Sequence, residues 1–431
     1  MKQNRVPILA LCLAALLALS AQGQTALYGD HLLPYADRLH PGNQDHRSVW
    51  LVTAGRNIHL WRFNGSTLSV SVYDAALRFR SETRFPEGFP APVFLGFGSF
   101  YYLVASNVLT TKLYRVDADG HFTDRTKALE DSLGRPLGAY EVLAGSKSLY
   151  LVRLQPDTLG GPPSLSAIVL DTGLHVRSLI ERPLASAFSA TTAQDDLILF
   201  ERAVRGSAVG ISLSRYDRPA QQFRTVHVFP EGLQYLSHRL LVSQGGLILH
   251  SLVREVGNAA ANSYLLWMNT AMSVTHSLYL GDSAARGFSE PGFLFRPMMS
   301  AVLASGGLLL IDRGRQQKGA GEMLRFTWVD SAGNVTRLLK QPVDGGADVP
   351  PLLVQNAGNA YVFYAEKLRR NRSILYTYIL GDHTQEERLL PLAPQFTYAL
   401  EKAVEVGPGY FVMPYFDRYR VGLVRVSLHE K

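Results

Sequence analysis

Cysteine is almost absent from this chain, which has one, Cys12, among 431 residues. A disulfide framework is therefore excluded. Thiol catalysis is excluded as well if the first residues are removed. Leu11, rather than a small residue, precedes Cys12, which disfavours a lipoprotein. The position of Cys12 makes the first residues the next feature to interpret.

Long apolar runs are also scarce, and the only one that stands out is the stretch from Val6 to Ser20. Basic residues precede it, and Ala21-Gln22-Gly23 follows it as a small-x-small site. This order is typical of a secretory signal peptide with cleavage before Gln24. The alternative is an uncleaved anchor, although the run is short for a span of about 20 residues.

We therefore predict a signal peptide over residues 1–23 and one domain over residues 24–431, with no transmembrane span after cleavage. An exported chain without disulfides is more typical of a Gram-negative envelope than of a eukaryotic secretory pathway. The predicted location is the periplasm or the cell surface and extracellular space of a Gram-negative bacterium.

Charge is modest. The formal net charge of +7 falls to +5 when Lys2 and Arg5 leave with the signal peptide. A charge of this size over so long a chain does not indicate nucleic-acid binding. With 47% hydrophobic and 18% charged residues, the sequence is typical of a globular protein.

The most prominent feature of the sequence is an internal repeat. Eight glycine-type or polar turns each lead into an apolar run, with 42 to 61 residues between successive runs. The runs begin at Ile58, Phe100, Leu149, Leu197, Leu247, Leu308, Ala360 and Tyr410. A short strand pattern precedes each turn, and two more follow, the first of which usually ends in Asp or Asn. The repeating unit is four strands in about 50 residues.

Three features favour strands over helices. The runs are short, they are rich in β-branched and aromatic residues, and they lack a period of 3.6. The second strand of each unit is almost wholly apolar, which predicts burial on both faces. The fourth alternates with charge, which predicts an outer strand with one wet side.

A radially repeated unit of four strands resembles the blade of a β-propeller. We predict an all-β propeller of eight four-stranded blades, closed by pairing of the N- and C-terminal strands. The eighth copy lacks a fourth strand, and part of Thr25–Leu39 is expected to supply it. The alternative is seven blades with an extra hairpin. The signatures of sialidase, WD40, kelch and quinoprotein blades are missing, so no specific family is indicated.

The turn at Val116–Asp124, VDADGHFTD, allows two interpretations. It resembles part of a calcium loop but lacks the later glutamate ligand. It also suits a tight strand-to-strand turn in which Gly120 adopts positive φ, which is the reading we favour. The twelve histidines show no ligand spacing. We therefore expect neither a metal nor a cofactor.

Acid–base neighbours end the second strand in five units. They are Glu201-Arg202, Arg254-Glu255, Asp312-Arg313, Glu366-Lys367 and Asp417-Arg418. In a propeller, all loops after the second strand emerge on one face, so these residues predict a basic arc there. The candidate ligand-binding residues are Arg202, Arg254, Arg313, Arg315, Arg369, Arg370, Arg418, Tyr419 and Arg420.

The arc has a functional and a structural interpretation. Arginine forks suit carboxylate and phosphate groups, so the arc could bind an anionic glycan or an acidic protein. Ion pairs between neighbouring blades would explain the same residues. Tyr415 and Tyr419 could stack against a sugar. Trp61, Trp267 and Trp328 are expected in the core between blades.

No catalytic constellation is apparent, and a Gly-x-Ser-x-Gly elbow is absent. We therefore expect an exported binding or scaffold module for an anionic glycan or protein partner. The alternative is a polysaccharide lyase or hydrolase with its site at the central channel. Converging histidine, tyrosine, arginine and carboxylate groups at the channel would favour the enzyme.

Overall fold

The computed structural model describes the chain as a ring of antiparallel sheets. The described residues are 26–32 and 49–428, less 64–66, 86–91, 98, 107–110, 129–139, 156–162, 185–187, 194, 206–207, 229–231, 244, 256–260, 282–292, 304, 317, 319–320, 344–351, 357–358, 369–371, 381–384, 391, 393–395, 400–401, 408 and 417–419. Within them there is no helix with the length and apolarity needed to cross a membrane.

Seven sheets are blades made of four consecutive strands. Their strands are, in chain order, β2 (Val49–Ala54), β3 (Asn57–Phe63), β4 (Leu68–Tyr73) and β5 (Phe79–Phe85) in blade 1; β6 (Val93–Phe97), β7 (Phe100–Ser106), β8 (Thr111–Val116) and β9 (Phe122–Ala128) in blade 2; β10 (Glu141–Ala144), β11 (Ser148–Gln155), β12 (Ser164–Asp171) and β13 (Val176–Pro183) in blade 3; and β14 (Phe188–Ala193), β15 (Asp196–Arg205), β16 (Ala208–Asp217) and β17 (Gln222–Val228) in blade 4.

The remaining blades continue the order. They contain β18 (Leu233–Ser243), β19 (Gly246–Glu255), β20 (Asn262–Asn269) and β21 (Val274–Leu280) in blade 5; β22 (Phe293–Val302), β23 (Leu308–Gln316), β24 (Glu322–Val329) and β25 (Val335–Val343) in blade 6; and β26 (Leu352–Asn356), β27 (Asn359–Leu368), β28 (Arg372–Leu380) and β29 (Gln385–Leu389) in blade 7.

The last sheet joins the two ends of the chain, and we call it the closing sheet. It contains β1 (Ala26–Leu32), β30 (Thr397–Tyr398), β31 (Val404–Gly407), β32 (Tyr410–Phe416) and β33 (Arg420–Ser427). β1 pairs with β33 from Ala26↔Val426 to Leu32↔Arg420, which confirms the predicted pairing of the termini. β30 and β31 both pair with β32, one after the other along its length.

The all-β propeller and its four-stranded blades are thus confirmed. The number of four-stranded blades is seven, as in the alternative prediction, and not eight. The difference arises in the closing sheet, which has five strands because two strands, β30 and β31, share its inner position beside β32. The sequence pattern there indicated only the second of these segments.

The core lies between sheets rather than within any one of them. Each hydrophobic cluster combines residues of two neighbours, as Trp61 of blade 1 and Leu103 of blade 2 do. The series continues around the ring until Phe363 of blade 7 meets Met413 of the closing sheet, and Val412 of that sheet shares a cluster with Leu60 of blade 1. Each sheet therefore depends on both neighbours to bury its two faces.

Burial follows the predicted order of strands. The second strands are buried along most of their length, as in β19 and β23. A fourth strand such as β13 alternates between more exposed and less exposed residues over most of its length. The first strands of neighbouring blades approach one another around the ring, so they lie nearest the axis. As expected, Trp61, Trp267 and Trp328 are buried between sheets.

The Asp or Asn that ends a third strand caps the turn that follows it. In five turns its Oδ1 accepts two backbone N–H groups at 2.7–3.0 Å; the capping residues are Asp74, Asp117, Asp171, Asn269 and Asp330. The backbone N–H groups of Arg78 and His175 contribute most to these caps, which lower the pKa of Asp74 and Asp171 to about 2. The turn reading of Val116–Asp124 is confirmed.

In each of these five turns, the residue three positions after the capping Asp or Asn has positive φ, but the residue type at that position differs between blades. Leu77 has φ of 57° and is buried, whereas Gly120 has φ of 81°. A Cβ added at Gly120 would lie 2.8 Å from Cγ2 of Val72 in the neighbouring blade. The turn itself therefore accepts a side chain, and the close approach of blade 1 is what requires glycine in blade 2.

We expect Gly120→Ala to lower the free energy of unfolding by about 1–3 kcal/mol, because backbone strain and a steric contact add. Urea denaturation measures it. Gly96→Ala is the matched control, since a Cβ there meets nothing within 4 Å. Equal stabilities of the two variants would contradict the explanation.

Polar side chains also join neighbouring sheets. Trp61 Nε1 donates a hydrogen bond to the Tyr101 hydroxyl at 2.7 Å. The same hydroxyl lies 2.8 Å from His59 Nδ1. His59 Nε2 lies 2.8 Å from the Ala118 carbonyl oxygen. If the tyrosine hydroxyl donates to Nδ1, Nε2 carries the proton that the Ala118 carbonyl accepts. Burial lowers the pKa of His59, which favours this neutral form.

Candidate functional site

The predicted basic arc is described only in part. Arg369, Arg370, Arg418 and Tyr419 lie outside the described residues, and Arg420 is described only by its place in β33. The others are Arg202 on β15, Arg254 on β19, and Arg313 and Arg315 on β23. They occupy the ends of second strands, so they share one face of the ring.

Successive residues of a strand point to opposite faces, so Asp312 and Arg313 have different partners. Asp312 pairs with Arg325 on β24 at 2.8 Å, while Arg313 donates to Glu322 at 3.0 Å. Glu201 instead reaches Arg182 of the preceding blade at 2.8 Å. Ion pairs within and between blades therefore engage Asp312 and Glu201, while Glu255 accepts a hydrogen bond from the Tyr279 hydroxyl at 2.8 Å.

The described arginines of the arc are partly engaged. Arg315 shares Glu322 with Arg313, at 3.1 Å, and remains largely exposed. Arg254 donates to Gln234 on β18 at 2.5 Å. Binding by the arc remains a prediction. Tyr415 is 1% exposed and packs against Phe396, so the predicted stacking of a sugar on Tyr415 is wrong.

A second group of polar residues lies on the innermost strands of blades 4 to 6. A cavity of about 110 Å³ separates blades 5 and 6 and is lined by Ser237, His238, Arg239, His250, Leu252, Pro297, Met298 and Met299. Arg239 and, on the neighbouring innermost strand, Arg296 are exposed. We call this cavity with Arg296 the axial site.

Both histidines of the axial site are engaged through both ring nitrogens. His238 stacks on Phe200 and contacts the Tyr235 hydroxyl through Nδ1, while Nε2 lies 3.4 Å from the Ser189 hydroxyl. His250 lies 3.1 Å from the Ser300 hydroxyl and 2.8 Å from the Ser263 hydroxyl. These contacts hold the two rings in fixed orientations.

Burial determines the ionisation of this group. It lowers the pKa of His238 to about 4. Burial first, and the nearby Arg239 charge second, lower the pKa of His250 to about 4. Burial also raises the pKa of Tyr235 to about 12. At neutral pH the histidines are uncharged and the tyrosine is protonated, so the arginines supply the positive charge of the axial site.

This arrangement suits binding better than proton transfer. A general base works best with a pKa near the operating pH, and neither His238 nor Tyr235 has one. Among the described residues, no carboxylate lines the cavity. The exposed Arg239 and Arg296 can instead donate to an anionic ligand.

Sequence reasoning placed no functional residue here. Arg239 and Arg296 lie within apolar inner strands, LQYLSHRLLVS and FLFRPMMSAV. The available signal was an arginine in the middle of the short strand pattern that precedes each turn.

Comparison with known proteins gives only distant structural similarities. No known family and no curated protein matches the sequence. Among solved structures, polysaccharide lyase Uly1 aligns over 93% of this chain and 97% of its own, with 11% identity and a TM-score of 0.47. A prolyl endopeptidase aligns over 96% and 60%, with 12% identity and a TM-score of 0.46.

The propeller domain of the Trilobed protease from Pyrococcus furiosus aligns over 79% of this chain and 95% of its own, with 10% identity and a TM-score of 0.43. Similarities this weak carry no functional argument. The chain is a β-propeller because its sheets follow one another around an axis and its ends meet in one sheet.

Proposed function

We propose that this protein is an exported binding module that holds an acidic glycan at the axial site. The observation that supports the proposal is the exposure of Arg239 and Arg296 on adjacent innermost strands, beside a cavity without a described carboxylate. Guanidinium groups form paired hydrogen bonds with carboxylates, which acidic glycans present repeatedly.

Export to a Gram-negative envelope is part of the proposal and rests on residues 1–23. The predicted basic arc would extend the proposed binding surface, because Arg254 and Arg313 lie on the same blades as the axial arginines. An acidic protein surface is the other partner that the same charges would suit, and the binding experiment separates the two.

We expect the double substitution Arg239→Gln and Arg296→Gln to weaken binding to polygalacturonate at least tenfold, since charge-assisted hydrogen bonds contribute about 1.5–3 kcal/mol each. Isothermal titration measures the affinity. Arg224→Gln is the control for the loss of surface charge: it removes one positive charge from an exposed outer strand, where Arg224 pairs with Asp217.

Unchanged affinity in the double variant would refute glycan binding at the axial site. If the protein retains an acidic protein from the native envelope and has no affinity for polygalacturonate, the ligand of the axial site is a protein and not a glycan.

The enzyme alternative has one specific observation in its favour, the contact between the Tyr235 hydroxyl and His238 beside Arg239. A lyase would form a carbon–carbon double bond conjugated to the sugar carboxylate, which absorbs in the ultraviolet. Such absorbance from polygalacturonate, lost in Tyr235→Phe, would replace the binding proposal by catalysis.

A further inference from the structure

A second cavity lies where the ring closes, between blade 1 and the closing sheet. Its volume is about 490 Å³, within the range of small-molecule sites. Blade 1 contributes Thr53, Arg56 and Asn57, and the closing sheet contributes Glu405, Tyr410 and Arg425. We call this cavity the seam pocket.

The polar groups of the seam pocket are held by the fold. Arg425 donates through Nη1 to the Ala75 carbonyl at 2.8 Å, and its guanidinium lies 5.6 Å from the centre of the Tyr410 ring. Glu405 accepts the Gly409 N–H at 3.0 Å. Arg425 is thus oriented before any ligand arrives, which lowers the entropy lost on binding.

Arg56 is the exposed charge of the pocket. It follows Gly55, whose φ of 59° forms the turn between β2 and β3, and so stands at the rim. Two arginines and one glutamate give the lining a formal charge of +1. A monoanion neutralises this charge, whereas a dianionic phosphate would leave negative charge beside Glu405.

We propose that the seam pocket binds a hydroxylated monocarboxylate, such as a sugar acid. Arg56 and Arg425 donate to its carboxylate, and the carboxylate of Glu405 accepts from a hydroxyl group. This site is independent of the proposed glycan binding at the axial site, since the two share no residue.

Ligand binding at this position also stabilises ring closure. The pocket exists only while the closing sheet, made of both chain ends, rests against blade 1. A ligand that binds only the closed ring raises the unfolding temperature, and the rise grows with the logarithm of the free ligand concentration once that exceeds the dissociation constant. The stability of the ring therefore reports on the site without any assay of activity.

The experiment is titration of the full chain with D-glucuronate, followed by calorimetry and thermal unfolding. We expect saturable binding, a rise in unfolding temperature, and at least tenfold weaker binding to Arg56→Gln. D-Glucose and glucose 6-phosphate are the uncharged and dianionic comparisons. Arg56 is used because Arg425 bridges two sheets and its loss can affect folding.

Arg224→Gln is the control variant, because it removes a charge from an exposed outer strand outside both cavities, and its affinity for D-glucuronate should equal that of the unsubstituted protein. Binding of D-glucuronate but not L-lactate would identify the ligand as a ring-form sugar acid, and binding of both would identify a smaller hydroxy acid. No binding of either up to about 10 mM, equal binding of D-glucose, stronger binding of glucose 6-phosphate, or unchanged affinity in Arg56→Gln would overturn the proposal.

Discussion

Arg325→Met is expected to lower the free energy of unfolding by about 3–5 kcal/mol at pH 7. Arg325 Nε lies 2.8 Å from Asp312 Oδ2, and the side chains of both residues are less than one-tenth exposed. Removing the guanidinium leaves a buried carboxylate without its counter-ion. The guanidinium also lies 4.2 Å from the centre of the Phe295 ring, a contact that methionine replaces only in part. Urea denaturation measures the change.

The pH dependence of this variant gives a second test. Burial already raises the pKa of Asp312 despite the attraction of Arg325, and the loss of Arg325 raises it further. A protonated carboxyl is uncharged, so the loss of stability should become smaller as the pH falls from 7 towards 5.

The control is Arg325→Met combined with Asp312→Leu, which removes both charges. We expect this pair of substitutions to recover most of the stability, because an apolar pair of similar volume often replaces a buried ion pair without loss. A second control, Arg224→Gln, breaks the exposed pair with Asp217 and should cost about 0–1 kcal/mol. A double variant as unstable as Arg325→Met would show that packing, and not the orphaned charge, causes the loss.

The second large effect is acid destabilisation between pH 6.5 and 4. His238 and His250 have pKa values of about 4 in the folded protein, against an ordinary value of 6.5. Over this interval the unfolded chain binds more protons than the folded one, so stability falls as the pH falls. His250 accounts for about 3 kcal/mol, and His238 for less, because it is more exposed. His59, whose pKa burial also lowers, adds to the effect.

Other titrating groups change stability outside the interval from pH 6.5 to 4, or change it in the opposite direction. Asp74 and Asp171, with pKa values of about 2, lose their stabilising contribution only below about pH 4. Burial raises the pKa of Glu141 and of Asp312, so protonation of these two favours the folded state as the pH falls. The predicted slope is the balance of these terms.

Stability measured by urea denaturation from pH 7 to pH 4 tests the prediction. His250→Gln removes one titrating ring from the interface between blades 5 and 6, so its stability should depend less steeply on pH. His175→Gln is the control, since that histidine is exposed on a turn. Identical slopes in all three proteins would exclude the buried histidines as the cause.

The parts of the fold that were predictable share a local origin. Strand alternation, the Asp or Asn caps and the glycine turns act over a few residues, so Asp117 and Gly120 could be interpreted from their own neighbourhood. The pairing of β1 with β33 was also predictable, because the last repeat lacked one strand. The divided inner position of the closing sheet was not, since β30 has only two residues, Thr397 and Tyr398.

The candidate sites were less predictable because they depend on contacts between distant segments. Arg313 and Arg315 appear as basic loop residues in the sequence, yet both are paired with Glu322 in the folded chain. Tyr415 follows the same pattern as a surface aromatic but is enclosed by Phe396 and Tyr398. Arg239 and Arg425 are functional candidates only because neighbouring blades place cavities beside them.

The sequence by itself determined that the chain forms a radial repeat of short strands, because each four-stranded unit is too apolar on both faces to exist without neighbours. It also determined the turns that separate those strands, since capping and positive φ are local properties. Tertiary structure alone decided which charges pair, which aromatics are enclosed and where cavities remain. Those outcomes depend on the distance between side chains of different blades, which closure of the ring brings about.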